Sequence, residues 1–235
     1  MKFLFNIVIF LFLVCSQINA ETAHKVKNGF DEVYNIEVGK IDIGTLYFRL
    51  FISDERYEVS ISVEDRGLFS GIYRFKGKYD AFGQIKNGIF VPEKYNQSWK
   101  TKKKNSEINI FFENGIINSF KMLPVENEQP RIDFMRLEDY NDPITSFVSI
   151  LTGNTKTQTI DGRRVYSMNV SSSKAVEKGV YKKIIINNYK NIWADHKRKN
   201  LKYIEVVQGV GALSADPPLL IKIKLNAFSV TLTRH

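Results

Sequence analysis

Few residues in this sequence are of a type that does chemistry, and their spacing matches no common catalytic or metal-binding arrangement. The single cysteine, Cys15, lies in an apolar N-terminal stretch. The three histidines, His24, His196 and His235, do not stand at ligand spacing from one another, so we predict no zinc site. Without a metal motif or a paired nucleophile and base, we predict no cofactor, no metal and no catalytic residue.

Two glycine-containing segments are similar to known motifs, but their spacing or their flanking residues do not match those motifs. Gly67 to Gly71 has the spacing G-x-x-S-G instead of the G-x-S-x-G of a hydrolase nucleophile elbow, and no helical pattern follows it. Gly209 to Ala212 follows a strand pattern, as a dinucleotide-binding glycine motif does. Pro217-Pro218 soon afterwards is incompatible with the helix that binds the pyrophosphate in such a motif. We interpret these segments as a bend and a loop. A hydrolase remains the least favoured alternative.

Basic residues form three short runs, at Lys102 to Lys104, Lys182-Lys183 and His196 to Lys199. Such runs are typical of solvated turns and of strands that must resist edge pairing. The alternative is contact with an anionic surface, and Lys102, Lys103 and Lys104 are the residues that we assign to it. Trp99 and Trp193 lie beside basic runs, which suits a wet rim over an apolar interior.

The N-terminus predicts export. Lys2 precedes an apolar run from Phe3 to Val14, and a small residue, Ala20, ends the segment. The run is shorter than the roughly 20 residues of a spanning helix. We therefore predict a signal peptide over residues 1–20, cleavage after Ala20 and a periplasmic location. Lipidation of Cys15 is an open alternative, although the small residue usual before a modified cysteine is lacking.

Cleavage of 20 residues from 235 would leave 215, with no cysteine and a formal charge of +8 after the loss of Lys2. A chain of that size without disulfides depends on its hydrophobic core, and it is long enough for one large β domain over residues 21–235. Its positive charge favours anionic partners such as lipid headgroups or acidic glycans. Nucleic acid fits the charge but not the predicted compartment. We assume a monomer.

Strand patterns dominate the rest of the chain. Tyr57 to Glu64 alternates apolar and polar residues at every position, the signature of a half-buried strand. Asn87-Gly88, Asn114-Gly115 and Asp161-Gly162 are typical of tight hairpin turns. Glycines recur within the long segment Ile72 to Ile85, as expected where a sheet bends. We predict an all-β protein of about a dozen strands in a curled antiparallel sheet, a barrel or half-barrel.

One segment, NDPITSFVSILTG, predicts a short helix from Asp142 to Thr152 on the concave side or at the mouth of that sheet. Asp142 is a good N-cap, Pro143 suits the first helical position and Gly153 suits the residue after the end. The helix presents one apolar stripe, formed by Ile144, Phe147, Val148 and Leu151. A helix this short is marginal alone, so we expect it to pack against the sheet. It either fills the core or walls an apolar cavity.

Six segments that cover most of the mature chain follow one another in a characteristic order: YNIEVGKIDIGTLYFRLFISDERYEVSISVEDRGLFSGIYRFKGKYDAFGQI, VPEKYNQSW, KKKNSEINIFFENG, DPITSFVSIL, DGRRVYSMNV and PLLIKIKLNAFSVTLTR. In this order they resemble the exported bacterial family known as domain of unknown function 3108, in its alphaproteobacterial branch. The resemblance implies a periplasmic curled β-sheet domain of unknown activity. The cysteines frequent in that branch are absent here, so no disulfide is implied.

The function predicted is a non-catalytic periplasmic protein that binds or carries a lipidic or amphipathic ligand. The alternative is a structural or partner-binding component of the envelope with a solid core, in contact with another envelope protein. The predicted ligand site combines the helix with nearby aromatic residues and comprises Phe147, Val148, Leu151, Tyr73, Phe75 and Trp99.

Overall fold

The computed structural model describes residues 28–66, 75–193, 201–210 and 215–235. The predicted signal peptide, Tyr73, the whole Gly67 to Gly71 segment, the run from His196 to Lys199 and part of Gly209 to Ala212 lie outside the described residues. In the described part of the chain, no helix has the length and apolar character needed to span a membrane.

The described residues contain fourteen strands, one α-helix and a 3-10 turn at Phe134–Arg136. The helix, α1, runs from Pro143 to Leu151. The strands are β1 (Asn28–Val38), β2 (Ile41–Ile52), β3 (Arg56–Asp65), β4 (Phe75–Lys86), β5 (Ile89–Thr101), β6 (Asn105–Glu113), β7 (Ile116–Leu123), β8 (Tyr140–Asn141), β9 (Lys156–Ile160), β10 (Arg164–Val176), β11 (Gly179–Asn191), β12 (Leu201–Gln208), β13 (Pro218–Leu225) and β14 (Ser229–Arg234).

All fourteen strands belong to one sheet, in the order β7-β6-β5-β4-β3-β2-β1-β14-β13-β12-β11-β10-β9-β8. Neighbours are antiparallel except β8 and β9, which are parallel. The first and last strands pair at the centre of this order, with Tyr34 opposite Arg234. Most connections are short turns, which is why sequence neighbours are also neighbours in the sheet.

The sheet curls until its two edges nearly meet. Glu138 forms an isolated bridge with Ile116 of β7, and the Asp139 N–H donates to the Gly115 carbonyl over 3.1 Å. The segment before β8 thus closes a seam between β7 and β9 without a continuous ladder. The result is a nearly closed barrel, which confirms the predicted fold class.

Strand alternation and turn chemistry explain the sheet locally. On β3, Tyr57, Val59 and Ile61 point inward, and their exposed fractions are 3%, 0% and 9%. At the β6–β7 turn, Asn114 and Gly115 both have positive φ, 52° and 80°, as a primed hairpin turn requires. The predicted Asn-Gly turn is therefore confirmed.

Helix α1 lies inside the barrel. It contacts β4, β5 and β9, and its buried residues occur all around its circumference: Thr145, Ser146, Val148, Ser149, Ile150 and Leu151. The predicted cap is confirmed, with Asp142 as N-cap and Pro143 in the first turn. Enclosure on all sides explains how a helix of nine residues is stable, since tertiary packing replaces what isolated helices lack.

Candidate functional site

A buried carboxylate anchors the first turn of α1. Asp142 is fully buried, and its Oδ1 accepts from the N–H groups of Ile144 and Thr145, both over 2.9 Å. Its Oδ2 accepts from the Thr145 hydroxyl over 2.5 Å. The Tyr57 hydroxyl lies 2.7 Å from Thr145 Oγ1, and it must donate there because the single hydroxyl proton of Thr145 is directed at Asp142. Strand β3 and the helix N-terminus are thereby joined.

Burial controls the electrostatics of this cluster. It raises the pKa of Asp142 from 3.8 to about 6, against the hydrogen bonds from Thr145 and Ile144, which lower it. Burial also raises the pKa of Tyr57 well above its ordinary value, and the neighbouring Asp142 charge acts in the same direction. Both oxygens of the carboxylate already accept hydrogen bonds from α1, so Asp142 is a positioning group rather than an available base.

A lysine from the barrel wall caps the other end of α1. Lys182 Nζ donates to the carbonyls of Ile150 and Leu151 over 3.0 and 3.1 Å, and to Gln208 Oε1 over 3.1 Å. The Ile150 carbonyl also accepts from the Gly153 N–H over 3.3 Å. The last carbonyls of a helix need such donors, and the helix dipole favours a cation at this end. Burial lowers the pKa of Lys182.

The interpretation of Lys182-Lys183 as a solvated basic run is wrong for Lys182. The pair lies within β11, where alternation separates the two side chains. Lys182 is opposite Val206, which is fully buried, and therefore faces the interior. Lys183 faces outward, 4.4 Å from the ring centre of Tyr203. Lysine is usually an exposed residue type, so the sequence suggested an exposed side chain at position 182. The register of β11 with β12 shows that this side chain faces the interior.

An apolar cavity of about 230 Å³ lies beside the N-terminal half of α1. Its described lining comes from α1 and from strands β2, β3, β10, β12, β13 and β14. The residues are Leu46, Phe48, Ile61, Pro143, Ile144, Phe147, Tyr166, Met168, Leu201, Ile204, Ile221, Ile223 and Leu232. Among these side chains only Tyr166 carries an oxygen. The arrangement offers hydrocarbon contact and little else, so it can bind an apolar group but presents no acid–base pair.

Phe147 is the predicted ligand residue that the structure places at the cavity, where its ring lies 6.4 Å from that of Phe48. Val148 and Leu151, from the same helical stripe, are 0% and 3% exposed and are not among the lining residues. The apolar residues of the stripe do not all face the same surroundings, because the barrel surrounds the helix. Ile144 and Phe147 face the cavity, whereas Val148 and Leu151 pack elsewhere in the core.

The predicted aromatic residues outside α1 form a separate contact. Phe75 stacks on Trp99, with ring centres 5.4 Å apart and an angle of 15° between the planes. They lie at the start of β4 and the end of β5, and neither lines the cavity. Tyr73 lies outside the described residues.

Sequence reasoning missed the opposite wall of the cavity. Ile204, Ile221 and Leu232 come from three C-terminal strands, and each has an exposed fraction of 7% or less. Alternation marks them as inward residues in principle. Their neighbourhood with Phe147, however, depends on how the strands close into a barrel, which no local pattern encodes.

Lys102, Lys103 and Lys104 form the exposed turn between β5 and β6. Beside this turn is an open groove of about 920 Å³, hereafter the basic groove. Its lining residues are Lys103, Lys104, Asn105, Ser106, Leu123, Pro124, Val125, Glu126, Arg163 and Arg164. Arg163 pairs with Glu126, and Arg164 pairs with Asp161 over 3.3 Å. Two lysines and two arginines against one lining carboxylate make the groove cationic.

Within the described residues, no three histidine, cysteine, aspartate or glutamate side chains are grouped so as to hold a metal ion. The comparison with protein-family models and the comparison with curated proteins each return no match.

Among solved structures, the chain is similar to the crystal structure of a β-barrel-like protein of domain of unknown function DUF1849 from Brucella abortus. The TM-score is 0.51 at 12% sequence identity, over 88% of this chain and 95% of that chain. At this identity the likeness is one of fold. It supports a β-barrel-like architecture shared with proteins of unknown function.

Proposed function

We propose that the protein is a non-catalytic carrier or binding protein for a lipidic or amphipathic ligand in the periplasm. The observation that carries this proposal is the apolar cavity between α1 and the barrel wall. The periplasmic location rests on the N-terminal pattern that ends at Ala20. The resemblance to the domain of unknown function 3108 supports the same compartment, and we propose membership of that family on the segments quoted above.

The size of the cavity suits part of a hydrocarbon chain. An engineered apolar cavity of about 150 Å³ is known to stay dry and to bind benzene. The cavity here is about 230 Å³. At ~30 Å³ for a group the size of water, it holds roughly eight methylene-sized groups. Each methylene that the cavity buries contributes about 0.8 kcal/mol, so the affinity for a hydrocarbon chain depends on how many of its carbons enter this partly open cavity.

The cavity favours ligand binding over the alternative of a structural envelope component with a solid core. The hydrogen bonds on both Asp142 oxygens support a non-catalytic site, because this buried carboxylate is committed to the helix.

The test is titration of the purified protein with saturated fatty acids of increasing chain length, followed by calorimetry. We expect affinity to rise by about fourfold per added carbon up to roughly eight buried carbons and then to level off, as expected from ~0.8 kcal/mol per methylene. Native mass spectrometry of protein purified from its own host should show a bound molecule of lipidic mass.

A matched pair of variants locates the site. Ile204→Phe fills the cavity and should weaken binding, whereas Ile89→Phe makes the same change at the first residue of β5, which is 59% exposed, and should not. Equal affinities for both variants, or no binding at any chain length, would refute the proposal. Hydrolysis of p-nitrophenyl octanoate that Ile204→Phe abolishes would instead identify a hydrolase.

A further inference from the structure

The two ends of the barrel differ in charge. One end carries the described hairpin turns at residues 39–40, 102–104, 161–163 and 226–228, and we call it the basic end. These turns hold five cationic residues, Lys40, Lys102, Lys103, Lys104 and Arg163, against one acid, Asp161. The opposite end carries turns 53–55, 87–88, 114–115 and 177–178, with one cation, Lys178, against Asp54, Glu55 and Glu177. Among these described turns, positive charge is thus concentrated at one end.

Exposed apolar side chains accompany this charge. Leu123 and Val125, in the lining of the basic groove, are 52% and 70% exposed. The groove adjoins a second recess of about 650 Å³ that shares Leu123, Val125 and Glu126. Phe120, Phe134 and Trp193 line that recess along the seam of the barrel. Cations therefore surround an apolar surface that continues along the molecule.

The basic end is also the end nearest the interior cavity. Leu201, the first residue of β12, and Ile223, near the end of β13, line the cavity. Both strands meet at this end, where Leu201 pairs with Leu225. A surface that the basic end contacts is accordingly close to the cavity as well.

We propose that the basic end docks on the surface of a bilayer that contains anionic phospholipids, with the lysines at the phosphate level and Leu123 and Val125 in the interface. Clustered lysines are attracted to anionic leaflets, and adjacent apolar side chains provide the second contribution that stable peripheral binding needs. Lys102, Lys103 and Lys104 stand on one exposed turn and Lys40 on another exposed turn at the same end, an arrangement that fits an extended planar surface. This docking surface is separate from the cavity. It rests on the proposed function, to which it adds the bilayer surface as the place where the protein takes up its ligand.

The experiment is co-sedimentation of the chain from Glu21, which contains every described strand, with vesicles of defined composition. Vesicles of equal parts phosphatidylglycerol and phosphatidylcholine should bind the protein, and vesicles of phosphatidylcholine alone should not. Binding should weaken as salt rises from about 50 to about 500 mM, because exposed charges are then screened. The variant Lys102→Gln/Lys103→Gln/Lys104→Gln should weaken binding about fivefold per lysine, or on the order of 100-fold in total.

The matched control is Lys86→Gln/Lys156→Gln/Lys178→Gln, which removes the same charge from exposed positions at the opposite end and should change binding little. Equal losses in both triple variants, equal binding to neutral vesicles, or no vesicle binding at all would overturn the proposal. The last result would point to an acidic protein partner. Ile204→Phe should bind vesicles normally, so failure of the docking surface and failure of the cavity are distinguishable.

Discussion

Replacement of Asp142 by asparagine should remove a pH dependence from the stability of the protein. The carboxylate is fully buried at the first turn of α1, and burial raises its pKa to about 6. A group whose folded pKa exceeds its unfolded value stabilises the fold below the unfolded pKa, and this stabilisation is lost as pH rises through the folded pKa. Asp142 therefore makes the protein more stable at acidic pH than at neutral pH.

The size of the effect follows from the two pKa values. A rise from 3.8 to about 6 corresponds to ~3 kcal/mol, since a tenfold change in the dissociation constant is about 1.4 kcal/mol. About 2 kcal/mol of this lies between about pH 4.5 and about pH 7.5. Asparagine keeps an oxygen for the N–H groups of Ile144 and Thr145 but does not titrate, so the N-cap survives without the pH dependence.

Urea unfolding across that pH range measures the difference. The free energy of unfolding of the wild type should fall by about 2 kcal/mol relative to Asp142→Asn as pH rises. Burial also raises the pKa of Asp161, but this contribution is present in both proteins and cancels. Asp133→Asn, at an exposed side chain, is the control and should parallel the wild type. Parallel pH profiles for the wild type and Asp142→Asn would refute the account of the buried cluster.

Three further changes test the setting of α1. Lys182→Met should lower the free energy of unfolding by about 1–3 kcal/mol because it removes the Lys182 donor from the Leu151 carbonyl and leaves the Ile150 carbonyl with the Gly153 N–H. Lys178→Met in an exposed turn should change it by less than about 0.5 kcal/mol. Tyr57→Phe should cost about 1 kcal/mol, measured by urea unfolding, for loss of the bond to Thr145. Phe147→Ala should enlarge the cavity, and in the fatty-acid titration the affinity should then level off at a longer chain length.

Local sequence patterns were sufficient to predict most of the fold. Alternation identified β3, and the Asn-Gly pair at residues 114 and 115 identified the hairpin that it forms. The N-cap at Asp142 was equally easy to predict from the sequence, because the N–H groups that it binds belong to residues only two and three positions further along the chain. Each of these features is decided within a few residues of the chain, where propensity and turn chemistry act.

The candidate site was harder to predict from the sequence because its residues come from distant parts of the chain. Phe147 was identified, but its neighbours Ile221 and Leu232 lie on strands placed by the closure of the sheet. Lys182 was misread because its inward direction follows from the register with Val206, not from its residue type. Contacts of this kind become visible only when strand order and register are known.

The pairing of β1 with β14 has a consequence for how the molecule forms. Arg234 bonds to Glu32 across 202 residues of chain, so the central strand pair of the sheet forms only after the last strand has become available. Contacts between such distant residues make folding slow, since the chain entropy is lost before the contacts form. For a chain proposed to be exported, this delay is an advantage. Under the proposed export, the barrel cannot close until β14 has crossed the membrane, so translocation of that strand comes before closure of the barrel.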